Sequence, residues 1–209
     1  MMLLVLTACV GWTAAGRAQP LGASTAAQRV LDHRGFTADV GDLVGLPQGA
    51  AIMAALRRQI DICVEAGLPP ATLAFIRSVP VRIKVIRKGE PGFNSGSGFY
   101  DGKRVTLQAD VYPSENPVLL HEFLHAYHHQ KLPGGKNNPD VLTFYQRAQT
   151  TPGMYPAGSY MQSNVGEYFA MTASVFLHGR AARPPSTRAN LRANQPLYFA
   201  WLEKEFGPH

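Results

Sequence analysis

Val118-Leu119-Leu120-His121-Glu122-Phe123-Leu124-His125 is the stretch from which the rest of this sequence can be ordered. On an α-helix, residues four apart stand one above the other, so His121 and His125 share a face and can reach a single ion. Two neutral imidazoles suit Zn2+, and Glu122 beside them is placed to take a proton from a zinc-activated water. Val118, Leu119 and Leu120 supply the apolar surface that buries such a helix. The bland alternative is a helix that happens to carry two of the chain's seven histidines. In a chain of this composition the His-Glu-x-x-His pattern arises by chance on the order of once in a hundred.

Working upstream, Val81, Ile83 and Val85 alternate with polar residues or Ile86 as in a half-buried strand. A glycine-rich loop is expected at 89–98. Asp101-Gly102 then predicts a hairpin turn between Phe99-Tyr100 and a returning strand at 104–109. Apolar residues at helical spacing predict a helix over 48–67, and Pro69-Pro70 starts another at about 71–78. A short helix is expected near 25–32. The motif helix is predicted at 116–131, followed by helices at 139–148 and 163–178 and a last helical stretch at 187–206, interrupted at Pro196. A small sheet followed by helices makes the class α+β.

The histidine pair needs a third ligand. Between Ala126 and Leu202 the only acids are Asp140 and Glu167, and the only histidines are His128, His129 and His178. The longer metzincin pattern requires Gly at 128 and His at 131; His128 and Lys131 exclude it. His128 and His129 are expected to turn away from the ion toward the surface. Asp140 follows Asn138-Pro139 and reads as a helix-start residue, and His178 precedes Gly179 at a helix end, capping it or facing solvent. Glu167 shares its face with Ala170, Met171 and Ser174, an inward face on which a carboxylate must be paired or metal-bound. A first-turn Glu favoured by the helix dipole is the bland reading of the same residue.

His121-Glu122-Phe123-Leu124-His125, with Glu167-Tyr168-Phe169-Ala170 beginning 42 residues after His125, resembles a gluzincin-type zinc metallopeptidase. The likeness is to the compact catalytic domain of the anthrax lethal factor and Pro-Pro endopeptidase type, and it covers about 68–180. It implies a zincin-like fold, with strand, hairpin and short sheet before the motif helix, and Glu167 as third ligand. It also implies that Tyr160, seven residues before that Glu, points its hydroxyl at the substrate carbonyl oxygen. Tyr155 and Tyr168 lie nearby, and Tyr168 is expected to be core. Some members carry a second carboxylate one turn after the ligand; this chain has Met171 there.

The 209 residues carry 20 Lys+Arg against 14 Asp+Glu, with a pI near 9.5. The basic residues are scattered and not interleaved with aromatics, so solvated surface is expected and no nucleic-acid partner. The apolar run from Met1, closed by small residues around Ala18, reads as a signal peptide at 1–18. Leu6-Thr7-Ala8-Cys9 also resembles a lipoprotein signal, so membrane anchoring is expected only if Cys9 is lipidated. Residues 19–47 are expected to form a leader, which leaves 48–209 as the catalytic domain. Cys63 then has no partner and reads as a small core residue.

The expectation is a secreted or periplasmic, bacterial, monomeric zinc endopeptidase acting on a peptide or protein. Zn2+ would be held by His121, His125 and Glu167, with Glu122 as base and Tyr160 as oxyanion donor. The substrate is expected to lie extended along the strand at 104–109. The rival readings are a zinc-containing extracytoplasmic binding protein without hydrolytic activity, a binder of anionic polymer, and a hydrolase of another amide bond.

Overall fold

Of the helix that the sequence predicts near 25–32, residues 25–28 lie outside the described residues, and residues 30–32 are strand. The computed structural model describes residues 29–86 and 97–209, so the expected targeting segment with Cys9 and most of the loop at 89–98 lie outside the described residues. Strands β1 (Val30–His33) and β2 (Phe36–Asp39) pair antiparallel through a two-residue turn. Arg34 and Gly35 both take positive φ there, 49° and 82°, which gives the chain the tight reversal that right-twisted strands require. Leu31, Phe36 and Ala38 point into the core, so period-two burial overrides whatever helical tendency the segment has. Part of the expected leader at 19–47 therefore packs within the same core as the rest of the chain.

Helices α1 (Gly49–Glu65) and α2 (Pro70–Ser78) follow, close to their predicted bounds. Ile52, Leu56, Ile60 and Cys63 form the buried stripe of α1, and burial pushes the Cys63 thiol up. Three more strands complete the sheet: β3 (Val81–Lys84), β4 (Gly98–Tyr100) and β5 (Val105–Gln108). Their order is β1-β2-β3-β5-β4, with β2/β3 and β3/β5 parallel and the two hairpins antiparallel. This order corrects the expected substrate edge. β5 is hydrogen-bonded on both sides, and Val105, Thr106 and Leu107 are all buried, so it has no free edge. The edge strand beside the site is β4.

The helical part holds α3 (Val118–Gln130), α4 (Pro139–Thr150), α5 (Val165–His178), α6 (Arg188–Asn194) and α7 (Pro196–Phe206). The architecture is α+β, with a small mixed five-stranded sheet and seven α-helices among the described residues. None of these helices is long and apolar enough to cross a membrane. α5 is the innermost. Every residue from Tyr168 to Leu177 is buried, and its two small polar residues bond back to their own helix: Thr172 donates to Tyr168 O at 2.6 Å and Ser174 to Met171 O at 2.9 Å. α3 is almost as deeply covered and packs along α5.

One buried polar residue sets the position of α3. Its N-cap, Pro117, offers no side-chain acceptor to the first turn. Gln59, fully buried on α1, does so from outside: its Oε1 accepts from Leu119 N at 3.2 Å. Its amide donates to Asn116 O at 2.9 Å and Pro113 O at 3.3 Å. Gln59→Leu strands these groups in the core. It should lower unfolding free energy by about 2–3 kcal/mol, measured by chemical denaturation. A loss below about 0.5 kcal/mol would show that Gln59 does not anchor α3.

Candidate functional site

The site forms where the middle of α3 meets the first turn of α5. Asn164 caps α5, its Oδ1 accepting from Glu167 N at 3.0 Å, which fixes Glu167 in the first turn near the positive helix end. Gly166 in the same turn faces the histidines: a Cβ there would meet His125 Nδ1 at 3.6 Å, an ordinary contact, and the Asn164 cap oxygen at 3.1 Å.

Three ligand-type atoms converge at this meeting point. His121 Nε2 lies 3.1 Å from both Glu167 Oε2 and His125 Nε2, and His125 Nε2 lies 3.5 Å from the same carboxylate oxygen. A tetrahedral ion with bonds of roughly 2.0–2.1 Å spaces its ligand atoms by roughly 3.3–3.4 Å. The triangle thus has the size of one face of a zinc tetrahedron, and the donor set, two imidazoles and a carboxylate, fits that ion. Two ring nitrogens and a carboxylate oxygen crowded at one point are also the arrangement a cation relieves. Burial opposes charge on Glu167, but the hydrogen-bonded imidazoles outweigh it and hold the carboxyl well below the usual carboxylate range. Burial also opposes protonation of His121, yet Glu167 and Glu122 raise its affinity for a proton.

Glu122 is 5% exposed, and its Oε2 is buried without a hydrogen-bond partner among the described residues. Burial, only partly countered by His121 and His125, raises its pKa. It stands between two clefts. One, of about 510 Å³, is lined by His121, Glu122, Tyr160 and Met171; the other, of about 750 Å³, by Glu122, His125, Glu167 and β4. Tyr160 opens a short 3-10 turn before α5 and so reaches the first cleft. Tyr168 is core, fully buried, donating to Gln195 Oε1 at 2.5 Å.

Two of the alternative ligands bond elsewhere. Asp140 accepts from Trp201 Nε1 at 3.1 Å, and His178 Nε2 bonds Ser114 O at 3.0 Å. His129 is exposed as expected. His128 is not: it is 1% exposed, against the expectation that it faces solvent. Seven residues on a helix turn about 700°, so His128 falls within about 20° of His121, on the buried stripe. Its ring packs on Phe169 with centroids 4.8 Å apart, and its Nε2 has no partner among the described residues.

Several site residues carried no signal in the sequence. Gly98 is one: a Cβ there would lie 2.5 Å from Leu107 Cδ2, 3.0 Å from Thr106 O and 3.2 Å from Glu122 Cγ, so β4 runs close over Glu122 only because position 98 has no side chain. Asn116, Ser174 and Arg183 also line the first cleft. Ser174 shares the inward face of Glu167, but nothing in the local pattern of Asn116 or Arg183 marks them, because distant segments bring them together.

Burial lowers the His128 pKa from 6.5 to about 4. The folded protein therefore keeps this imidazole neutral while the unfolded chain protonates it. Its contribution to stability is complete above about pH 6.5 and is lost as pH falls toward 4. Without metal, wild type should lose about 1–3 kcal/mol more than His128→Phe between pH 7 and pH 4.5, by denaturant titration at each pH. Parallel curves for the two proteins would contradict this assignment.

No protein-family model, curated protein or solved structure matches the chain, so the functional argument rests on the site's own chemistry.

Proposed function

We propose that this chain is an extracytoplasmic zinc-dependent endopeptidase of zincin-like fold, a gluzincin related to the lethal factor and Pro-Pro endopeptidase type. The observation that carries the reading is the triangle of His121 Nε2, His125 Nε2 and Glu167 Oε2 beside a buried carboxylate oxygen of Glu122 that has no hydrogen-bond partner among the described residues. A purely structural zinc site closes its fourth position with protein and has no use for such a base.

His121, His125 and Glu167 would hold the zinc, which when bound supplies Lewis acidity for water activation and carbonyl polarisation. Glu122 takes the proton of the attacking water and passes it to the leaving amine. Its burial suits the first of these transfers, because a carboxylate with a raised pKa takes up a proton more readily. Tyr160, on the wall of the first cleft, donates its phenol hydrogen to the oxyanion that develops on the carbonyl. The peptide lies extended against β4, whose outer edge offers main-chain groups beside Glu122 and His125. Exposed Phe99 on that strand gives the peptide an apolar wall.

The test is metal analysis combined with cleavage of a peptide library. Wild type and Glu122→Ala should each bind one zinc, while Glu122→Ala loses cleavage by about a thousandfold or more. Glu167→Ala should lose the metal. Equal zinc binding without cleavage by wild type would favour a zinc-containing binding protein. Zinc retained in Glu167→Ala would remove Glu167 from the ligand set.

A further inference from the structure

Arg183 is the one charged residue lining the first cleft that the proposed reaction leaves unused. It sits in the segment joining α5 to α6, with its guanidinium carbon 4.5 Å from the centre of the Tyr160 ring. Several other arginines have acidic or carbonyl partners. Arg34 and Arg58 meet Asp61 or Glu65, Arg82 meets Asp39 and Asp42, Arg192 meets Glu203, and Arg188 donates to the Phe176 and Leu177 carbonyls. Arg183 has no carboxylate within ion-pair distance among the described residues and is solvent-exposed at the cleft. Its ring contact holds the charge in place while leaving the edge donors of the guanidinium unspent.

Asn116 lines the same cleft, and its side-chain amide makes no hydrogen bond to another described residue. Its carbonyl, by contrast, is fixed by Gln59 at 2.9 Å, so the backbone that carries it is held. Val118 and Met171 supply apolar lining. The cleft thus combines a fixed cation, an amide and an aliphatic surface, which is the chemistry that takes a short acidic side chain or a chain-terminal carboxylate. Glu122 and Glu167, at the neighbouring ligand cluster, would repel such a group, so Arg183 determines the sign of charge the cleft accepts.

We propose that Arg183 and Asn116 form a carboxylate-binding subsite next to the bond that is cut. The preferred substrates are then peptides with an acidic residue, or a free C-terminus, at that subsite. This rests on the hydrolase reading above, and the experiment separates the two. A fluorogenic peptide library with one position at a time fixed as Glu, Gln, Asp or Asn is offered to zinc-loaded wild type, Arg183→Met and Arg183→Glu. Matched peptides with free and amidated C-termini distinguish a side chain from a terminal carboxylate. The same library, fluorescently labelled, is screened for binding to zinc-loaded Glu122→Ala, with and without Arg183→Met.

In wild type, kcat/KM for Glu over Gln, or for the free over the amidated C-terminus, should be about 10–100 at one position. The ratio should fall to about 1 in Arg183→Met and invert in Arg183→Glu. The binding screen should show the same preference and its loss. If nothing is cut but the binding preference appears and depends on Arg183, the subsite stands and the hydrolase reading fails. If peptides are cut with no acidic preference, or with one that Arg183→Met leaves intact, the subsite is overturned and the hydrolase reading survives.

Discussion

Because α5 is covered on every side from Tyr168 to Leu177, the helix can place a charge only near its ends, and the position of Glu167 follows from that constraint. Its first turn is the part that emerges from the core, and it emerges against the middle of α3. Burial supplies the driving force, and Asn164 fixes the register by capping the turn. The remaining site groups are arranged around this crossing. Glu122 is held between the two helices and β4, and the 3-10 turn leading into α5 carries Tyr160 to the cleft wall.

Much of this was legible in the sequence because it depends on local rules. Helical spacing, proline at helix starts and the Asp101-Gly102 turn locate α1 to α7 and the β4–β5 hairpin within a few residues. Glu167 stands out in the sequence by scarcity, since few downstream residues can ligate a metal, and it lies within 3.5 Å of both histidine Nε2 atoms while Asp140 and His178 bond elsewhere. The first hairpin is not legible locally, since Arg34-Gly35 lacks the Asn-Gly or Asp-Gly signal, although Leu31, Phe36 and Ala38 alternate as a strand should. His128 does not turn away to the surface, because seven residues after His121 it continues the stripe of His121 and His125 on the helix.

What the sequence hides is contact between distant segments. Gln59 stands on α1 as an ordinary polar residue. Only the fold shows its amide serving the start of α3, where Pro117 leaves a gap. Gly98 in the same way looks like one more loop glycine until β4 is laid across Glu122. Strand order is equally non-local: β5 reads as a plausible outer strand, and β4 takes that place because β3 and β5 pair in parallel.

The break between α6 and α7 has a consequence for how the molecule can be divided. Gln195, buried at that break, accepts from the Tyr168 hydroxyl and donates to the Tyr155 hydroxyl at 2.9 Å, while Asn194 holds Met154 O at 2.9 Å. The C-terminal helices are thereby tied both to α5 and to the loop that leads to Tyr160. No shortened version ending before residue 195 retains that brace, so the smallest autonomous unit carrying the site must extend into the C-terminal helices.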